Sequence, residues 1–77
     1  MAELLAELAR RLVDEPDAVR VEQVEGEDGS LVLRLHVAEA DVGKVIGRQG
    51  RIARALRTIV RAGGPSAGRR LQLEIVG

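Results

Sequence analysis

The run Leu31-Val32-Leu33-Arg34-Leu35-His36-Val37 alternates aliphatic residues with a mixed set at a strict period of two. Successive side chains of a strand point to opposite faces, so Leu31, Leu33, Leu35 and Val37 share one face, and Val32, Arg34 and His36 the other. Such a strand needs a cover on its apolar side and leaves the other side open. The cover must come from 77 residues, a length that buries only about 60–65% of the surface the unfolded chain exposes. There is no Phe, Tyr or Trp, so the core must be aliphatic.

The flanking segments supply that cover. Residues 2–13 repeat Leu4, Leu8 and Leu12 at helical spacing with Leu5 beside them, and this stripe is expected to pack against the sheet. Glu3 and Glu7 early and Arg10 and Arg11 late suit the helix dipole. Pro16 stops the helix; Val19, Val21 and Val24 read as a first strand whose alternation slips after Val21. Residues 25–30, EGEDGS, form a turn in which Gly26 and Gly29 can take positive φ. Asp41 is placed to cap a short helix over 42–46, and residues 51–62 form a third helix ended by Gly63, Gly64 and Pro65. After a loop over 66–70, Leu71, Leu73 and Ile75 alternate with Gln72 and Glu74 as a last strand.

The order is therefore α-β-β-α-α-β, one hairpin and then a crossover carrying two helices. A right-handed crossover sets the last strand parallel to the second. We expect an α/β chain of the α+β kind: a three-stranded mixed sheet covered on one face by three helices, its open face bearing Val32, Arg34, His36, Gln72 and Glu74.

Net charge is zero but unevenly spread: residues 1–30 hold nine acids and three bases, and residues 31–77 three acids and nine bases. A basic half suits a polyanion, and an acidic half suits a basic protein, though charges of either sign also simply solvate a surface. Without cysteine there is no disulfide, thiolate metal site or thiol nucleophile. The apolar runs are short, and the amino terminus opens on Glu3 and Glu7 instead of a basic stretch, so a soluble, unexported protein is expected.

Gly43, Gly47 and Gly50 interrupt the helical pattern of residues 42–62. A Walker loop needs four residues between its glycines and then Gly-Lys-Ser/Thr, whereas three separate Gly43 from Gly47 and Arg48 follows. The dinucleotide fingerprint fails too, because the stretch has no Gly-x-Gly and no strand runs into its first glycine. What remains is a tight connection between two helices. Missing β-carbons let a nucleic-acid backbone approach, the next helix offers unpaired amides at its amino terminus, and Arg48 and Arg51 add charge.

The stretch DVGKVIGRQGRIARALRTIV, residues 41–60, resembles the core of the KH domain, whose Val-Ile-Gly-x-x-Gly signature holds about four nucleotides of single-stranded RNA. The preceding helix and strand resemble the type II arrangement, and the whole chain is similar to small bacterial proteins made of one KH domain. The resemblance implies a single type II KH domain over residues 1–77 with a minimal core of about 30–77. It further implies RNA binding in the cytoplasm without catalysis or cofactor, of the kind found in RNA chaperones and post-transcriptional regulators. Pairing as a homodimer, or with a second KH-containing protein, is also implied.

Carried over by position, the signature glycines are Gly47 and Gly50 and the variable pair is Arg48-Gln49, which contains no acid. The aliphatic floor maps to Val42, Val45, Ile46, Ile52 and Leu35. Readers that stack bases on aromatic rings gain about 1–3 kcal/mol per base, a mechanism closed to this chain. The expected RNA-contacting set is Gly43, Lys44, Ile46, Gly47, Arg48, Gln49, Gly50, Arg51, Ile52 and Arg54.

Other features carry blander readings. Arg57 and Arg61, a turn or more beyond the loop, are expected to be a solvated helix face opposite Ile52, Leu56, Ile59 and Val60; Arg69 and Arg70 read as loop solvation. His36 lacks visible metal partners or a nucleophile, so no metal site is expected. The flank of the first helix, with Glu3 and Glu7, is a candidate protein interface for an assembly subunit. A helix-turn-helix reading of residues 43–60 for duplex DNA is disfavoured by the flanking strands. An enzyme is disfavoured because no nucleophile, base and orienting group come together, and neither a membrane nor a small-molecule substrate is expected.

Overall fold

The computed structural model describes residues 2–62 and 70–77. In order these form α1 (Ala2–Leu12), β1 (Arg20–Glu25), β2 (Leu31–His36), α2 (Val42–Ile46), α3 (Arg51–Ala62) and β3 (Leu71–Val76). The expected helix stop at Gly63, Gly64 and Pro65, most of the 66–70 loop and Arg69 lie outside the described residues.

β2 is the middle strand of a mixed sheet. It pairs antiparallel with β1, Val21 opposite Leu35, and parallel with β3, Leu33 opposite Leu73 and Leu35 opposite Ile75. The alternation predicted for β2 holds: Leu33, Leu35 and Val37 are buried, and all three helices pack on that face through Leu5, Val45, Leu56 and Val60. Gly29 takes φ 82° in the hairpin, whereas Gly26 does not need positive φ and its amide donates to the Ser30 carbonyl oxygen at 2.8 Å.

Arg34 and His36 on the open face are paired within it, whereas Arg20 has no ion pair among the described residues. Arg34 lies 3.6 Å from a Glu22 oxygen and 3.2 Å from Glu74, and His36 Nε2 sits 3.1 Å from Glu22. The hydrogen bond from His36 chiefly, with the Arg34 charge, holds the Glu22 carboxyl below its usual range. The slip in alternation read after Val21 is seen in the sheet: Val21 faces the core opposite Leu35, and Val24 stands on the open face opposite Val32.

Two apolar stripes differ from the spacing-based reading. In α1 the buried residues are Leu5, Ala6 and Ala9, while Leu4 stays 49% exposed and Leu12 is also at the surface. The contact face is made by Leu5, with Leu8 partly buried beside it, and by the two alanines, whose small size lets the helix axis come close to the sheet. In α3 the buried line is Ala53, Leu56 and Val60, and Ile59, about 60° around the helix from Leu56, is exposed. Replacing Leu35 by alanine is expected to lower the unfolding free energy by about 2–5 kcal/mol in urea titrations. Leu4→Ala, in contrast, should change it by no more than about 0.5 kcal/mol, as for an ordinary surface position.

Candidate functional site

Five residues of α2, a one-turn 3-10 segment at Arg48–Gly50 and the first turn of α3 build the site. Gly47 closes α2, its amide donating to the Gly43 carbonyl oxygen at 2.9 Å. Its backbone, φ 77° and ψ 173°, lies in a region essentially reserved for glycine. A β-carbon there would also lie 2.6 Å from Ile52 Cγ1. Gln49 is left-handed at φ 58° and Gly50 at φ 73°, so the chain reverses within four residues and starts α3.

The three glycines thus have different reasons. Gly47 is demanded by backbone and packing together, and Gly50 by its φ alone, since a β-carbon there meets nothing within 4 Å. Gly43 has neither reason: it lies inside α2, is exposed, and has nothing within 4 Å of its β position. Glycine inside a helix costs about 0.5–1 kcal/mol relative to alanine, so its place in α2 calls for an explanation outside the fold. One turn before Gly47, it extends the bare backbone along the same helix face.

Around this surface the cations divide into two groups. Arg54 Nη2 donates to the Gln49 carbonyl oxygen at 3.2 Å, and Arg51 Nη2 to Gln49 Oε1 at 3.4 Å, so both brace the turn from its α3 side. Arg48 is exposed and forms no ion pair among the described residues. The Gly50 and Arg51 amides are consumed within the turn by the Gly47 and Arg48 carbonyl oxygens.

Lys44 belongs to the other group. Its ammonium is held between Asp14 and Asp41, 3.3 Å from the latter's Oδ1. Asp41, expected to cap α2, makes no side-chain cap. Only 2% exposed, it reaches back to accept the Glu15 amide at 3.0 Å. The carboxylate therefore ties the α1–β1 connection to the start of α2. Burial works to raise the Asp41 pKa, but amide hydrogen bonds from Glu15 and Asp14 and the Lys44 ammonium outweigh it and hold the carboxyl below its ordinary 3.8. The Asp14 hydrogen bond chiefly, against some desolvation and aided by Asp41, raises Lys44 above its ordinary 10.5. Sequence reasoning missed this latch; its one legible trace was the i, i+3 spacing of Asp41 and Lys44.

The apolar floor is smaller than the sequence implied. Val45 and Leu35 are completely buried, committed to the core beneath β2, and present no surface. Ile46, 37% exposed, and the partly buried Ile52 and Val42 remain accessible near the loop. Among the described residues no cluster of three or more His, Cys, Asp or Glu could hold a metal ion, and no helix is long and apolar enough to cross a membrane.

Comparison with known proteins bears on this arrangement. The family model described as KhpA/KhpB, KH domain, matches residues 2–75. The RNA-binding protein KhpA of Clostridium acetobutylicum is 49% identical over 76 residues, covering 99% of this chain and all of that protein. Its namesake in Aquifex aeolicus is 56% identical over 68 residues, 88% of this chain and 85% of that one. In Treponema pallidum the RNA-binding protein KhpA is 53% identical over 74 residues, 96% and 91% of the two chains.

Gly47→Ala is expected to cost at least about 1–3 kcal/mol from backbone strain alone, with the Ile52 clash added, as measured by denaturant unfolding. For the latch, a carboxyl with a depressed folded-state pKa contributes stability above its unfolded value and loses it as pH falls. The melting-temperature gap between wild type and Asp41→Asn should therefore be full near neutrality and close as pH drops below 3.8. A gap that stays constant down to strongly acid pH would show that the charge of Asp41 has no part in it.

Proposed function

The chain belongs to the KhpA/KhpB KH-domain family, and from that premise we propose that it binds RNA without catalysis, holding one single strand whose backbone passes the Gly47-Arg48-Gln49-Gly50 loop. The observation that carries this reading is the bare main chain at Gly43 and Gly50, where a β-carbon would meet nothing of the protein, next to the unpaired Arg48. Phosphates lie against Arg48 and Arg51 and the amides of Arg48 and Gln49. Bases rest on Ile46 and Ile52, which grip by aliphatic contact in place of aromatic stacking.

Arg54 acts on the RNA indirectly, by fixing the Gln49 carbonyl and hence the shape of the loop. Lys44 remains in the site as the residue that anchors α2, since its charge is shared between Asp14 and Asp41. We place the protein in the cytoplasm, with a second KH-containing chain as its protein partner. One observation favours a docking role alongside RNA binding: a recess of about 770 Å³ between α1 and β1, lined by Leu4, Glu3, Glu7 and Val21 among others. It lies on the acidic half of the chain, away from the loop.

The test titrates labelled single-stranded RNA, single-stranded DNA and duplex DNA against wild type, Arg48→Asp/Gln49→Asp and Gly43→Leu. Three phosphate contacts predict a slope of log affinity on log salt of about −2 for a single strand. The double variant should keep its fold and lose RNA affinity. Gly43→Leu should raise stability by about 0.5–1 kcal/mol, as a better helix former, while weakening RNA binding. Unchanged affinity in both variants sinks the loop assignment, and preference for duplex DNA sinks the single-strand reading.

A further inference from the structure

The two sides of the glycine loop differ in charge balance. On the α3 side Arg48, Arg51 and Arg54 have no ion pair among the described residues, and farther along Arg57 and Arg61 meet Arg70 across a groove. On the α2 side the helix carries a single cation, Lys44, three residues before Gly47 and so within one helical turn of the loop. That cation stands between the carboxylates of Asp14 and Asp41, and one positive charge against two negative ones leaves the cluster anionic.

The two carboxylates serve differently. Asp41 is buried, and its second oxygen accepts the Glu15 amide, so it belongs to the fold. Asp14 lies at the surface with 77% of its side chain exposed, and Lys44 is the one cation its carboxylate meets among the described residues. Exposed ion pairs contribute little to stability and are weakened by salt, so the packing gains little from this acid. Lys44 itself keeps 44% of its side chain exposed, which leaves its ammonium open to an anion from outside. Asp14 is therefore a competitor for any phosphate that approaches Lys44, and its hydrogen bond is the chief cause of the raised Lys44 pKa.

We propose that Asp14 is a positioning residue for RNA: its carboxylate withholds Lys44 from the phosphates and keeps the strand on the α3 side of the loop. The proposal rests on the loop reading and deepens it. A phosphate arriving on the α2 flank meets Asp14 and Asp41 along with the ammonium, whereas one arriving beside Arg48 and Arg51 meets cations alone. At physiological salt a charge acts over about 8 Å, far enough for this difference to bias where the backbone lies. An ammonium has three donors on a flexible stem, so once Asp14 is neutral Lys44 can keep Asp41 and also take a phosphate.

The experiment titrates labelled tetrauridylate over a salt series against wild type, Asp14→Asn, Asp14→Glu, Asp17→Asn and Asp14→Asn/Lys44→Gln. Asp17 is an exposed acid of the same α1–β1 connection with no ion pair, and it controls for net charge alone. Asp14→Asn should bind about 2–5-fold more tightly, the scale of one exposed ion pair. Its slope of log affinity on log salt should steepen by about 0.7, one further phosphate contact on a single strand. Asp14→Glu should bind as wild type does, Asp17→Asn should leave the slope unchanged, and adding Lys44→Gln should return the Asp14→Asn slope to the wild-type value. Lost packing at position 14 does not steepen a salt slope. Should asparagine lower the urea midpoint, Asp14→Ser serves as the second neutral variant, with the same slopes expected.

Equal slopes for wild type and the neutral variants overturn the proposal. So does an increment that Asp17→Asn reproduces, or one that survives Lys44→Gln; in all three cases the loop reading stands. Tetramer binding that is indifferent to Arg48→Asp/Gln49→Asp sinks the loop reading, and the role of Asp14 with it.

Discussion

The absence of a β-carbon at Gly47 is the constraint on which the arrangement of the site depends. Ile52 occupies the space that a side chain at 47 would need, and the glycine-only backbone there is what lets α2 end and α3 begin within four residues. That reversal sets Ile46 and Ile52 near one another at the surface while Val45, Leu56 and Val60 enter the core beneath the sheet. A wider connection would separate the aliphatic patch from the arginines. The same contact that completes the packing therefore also shapes the proposed RNA surface.

Charge is organised with comparable economy. Arg34 on the sheet's open face and Arg10 and Arg11 on α1 are neutralised by neighbouring carboxylates, and the buried carboxylate of Asp41 ties the α1–β1 connection to α2. Besides Arg20 on β1, the cations without an ion pair among the described residues include a line of arginines from the loop along α3. Segregation of this kind gives a molecule of zero net charge a polyanion-seeking side and an opposite side that does not compete for it. With no aromatic residue to stack on bases, affinity in this proposal comes from phosphates, bare backbone and aliphatic contact, which implies strong salt dependence and loose sequence preference.

Much of this was legible from spacing. The alternation at Leu31–Val37, the hairpin turn, the order of elements and the parallel pairing of β3 with β2 follow from period-two and helical patterns and the rules of short crossovers. The glycine tetrapeptide was also legible as a loop between two helices. Helix faces were harder. Of the α1 leucines, Leu5 and in part Leu8 pack as their spacing suggested, but Leu4 and Leu12 stay at the surface because the buried face turns toward Ala6 and Ala9; Ile59 in α3 is exposed likewise. Val45 and Leu35 looked like floor and are core, since the pattern identifies an apolar residue without saying which side of it is covered.

The sequence by itself determined the periodicities, the places where the chain must turn, and the uneven distribution of charge along it, because these are properties of neighbours within a few residues. Only the tertiary structure decided which acids neutralise which cations, that Asp41 reaches an amide 26 residues earlier, that Arg57 and Arg61 meet Arg70 across a groove, and that Gly43 has no internal reason to be glycine. These outcomes depend on distances between segments remote in the chain. Local spacing carries no information about such distances until the sheet and its helices have packed.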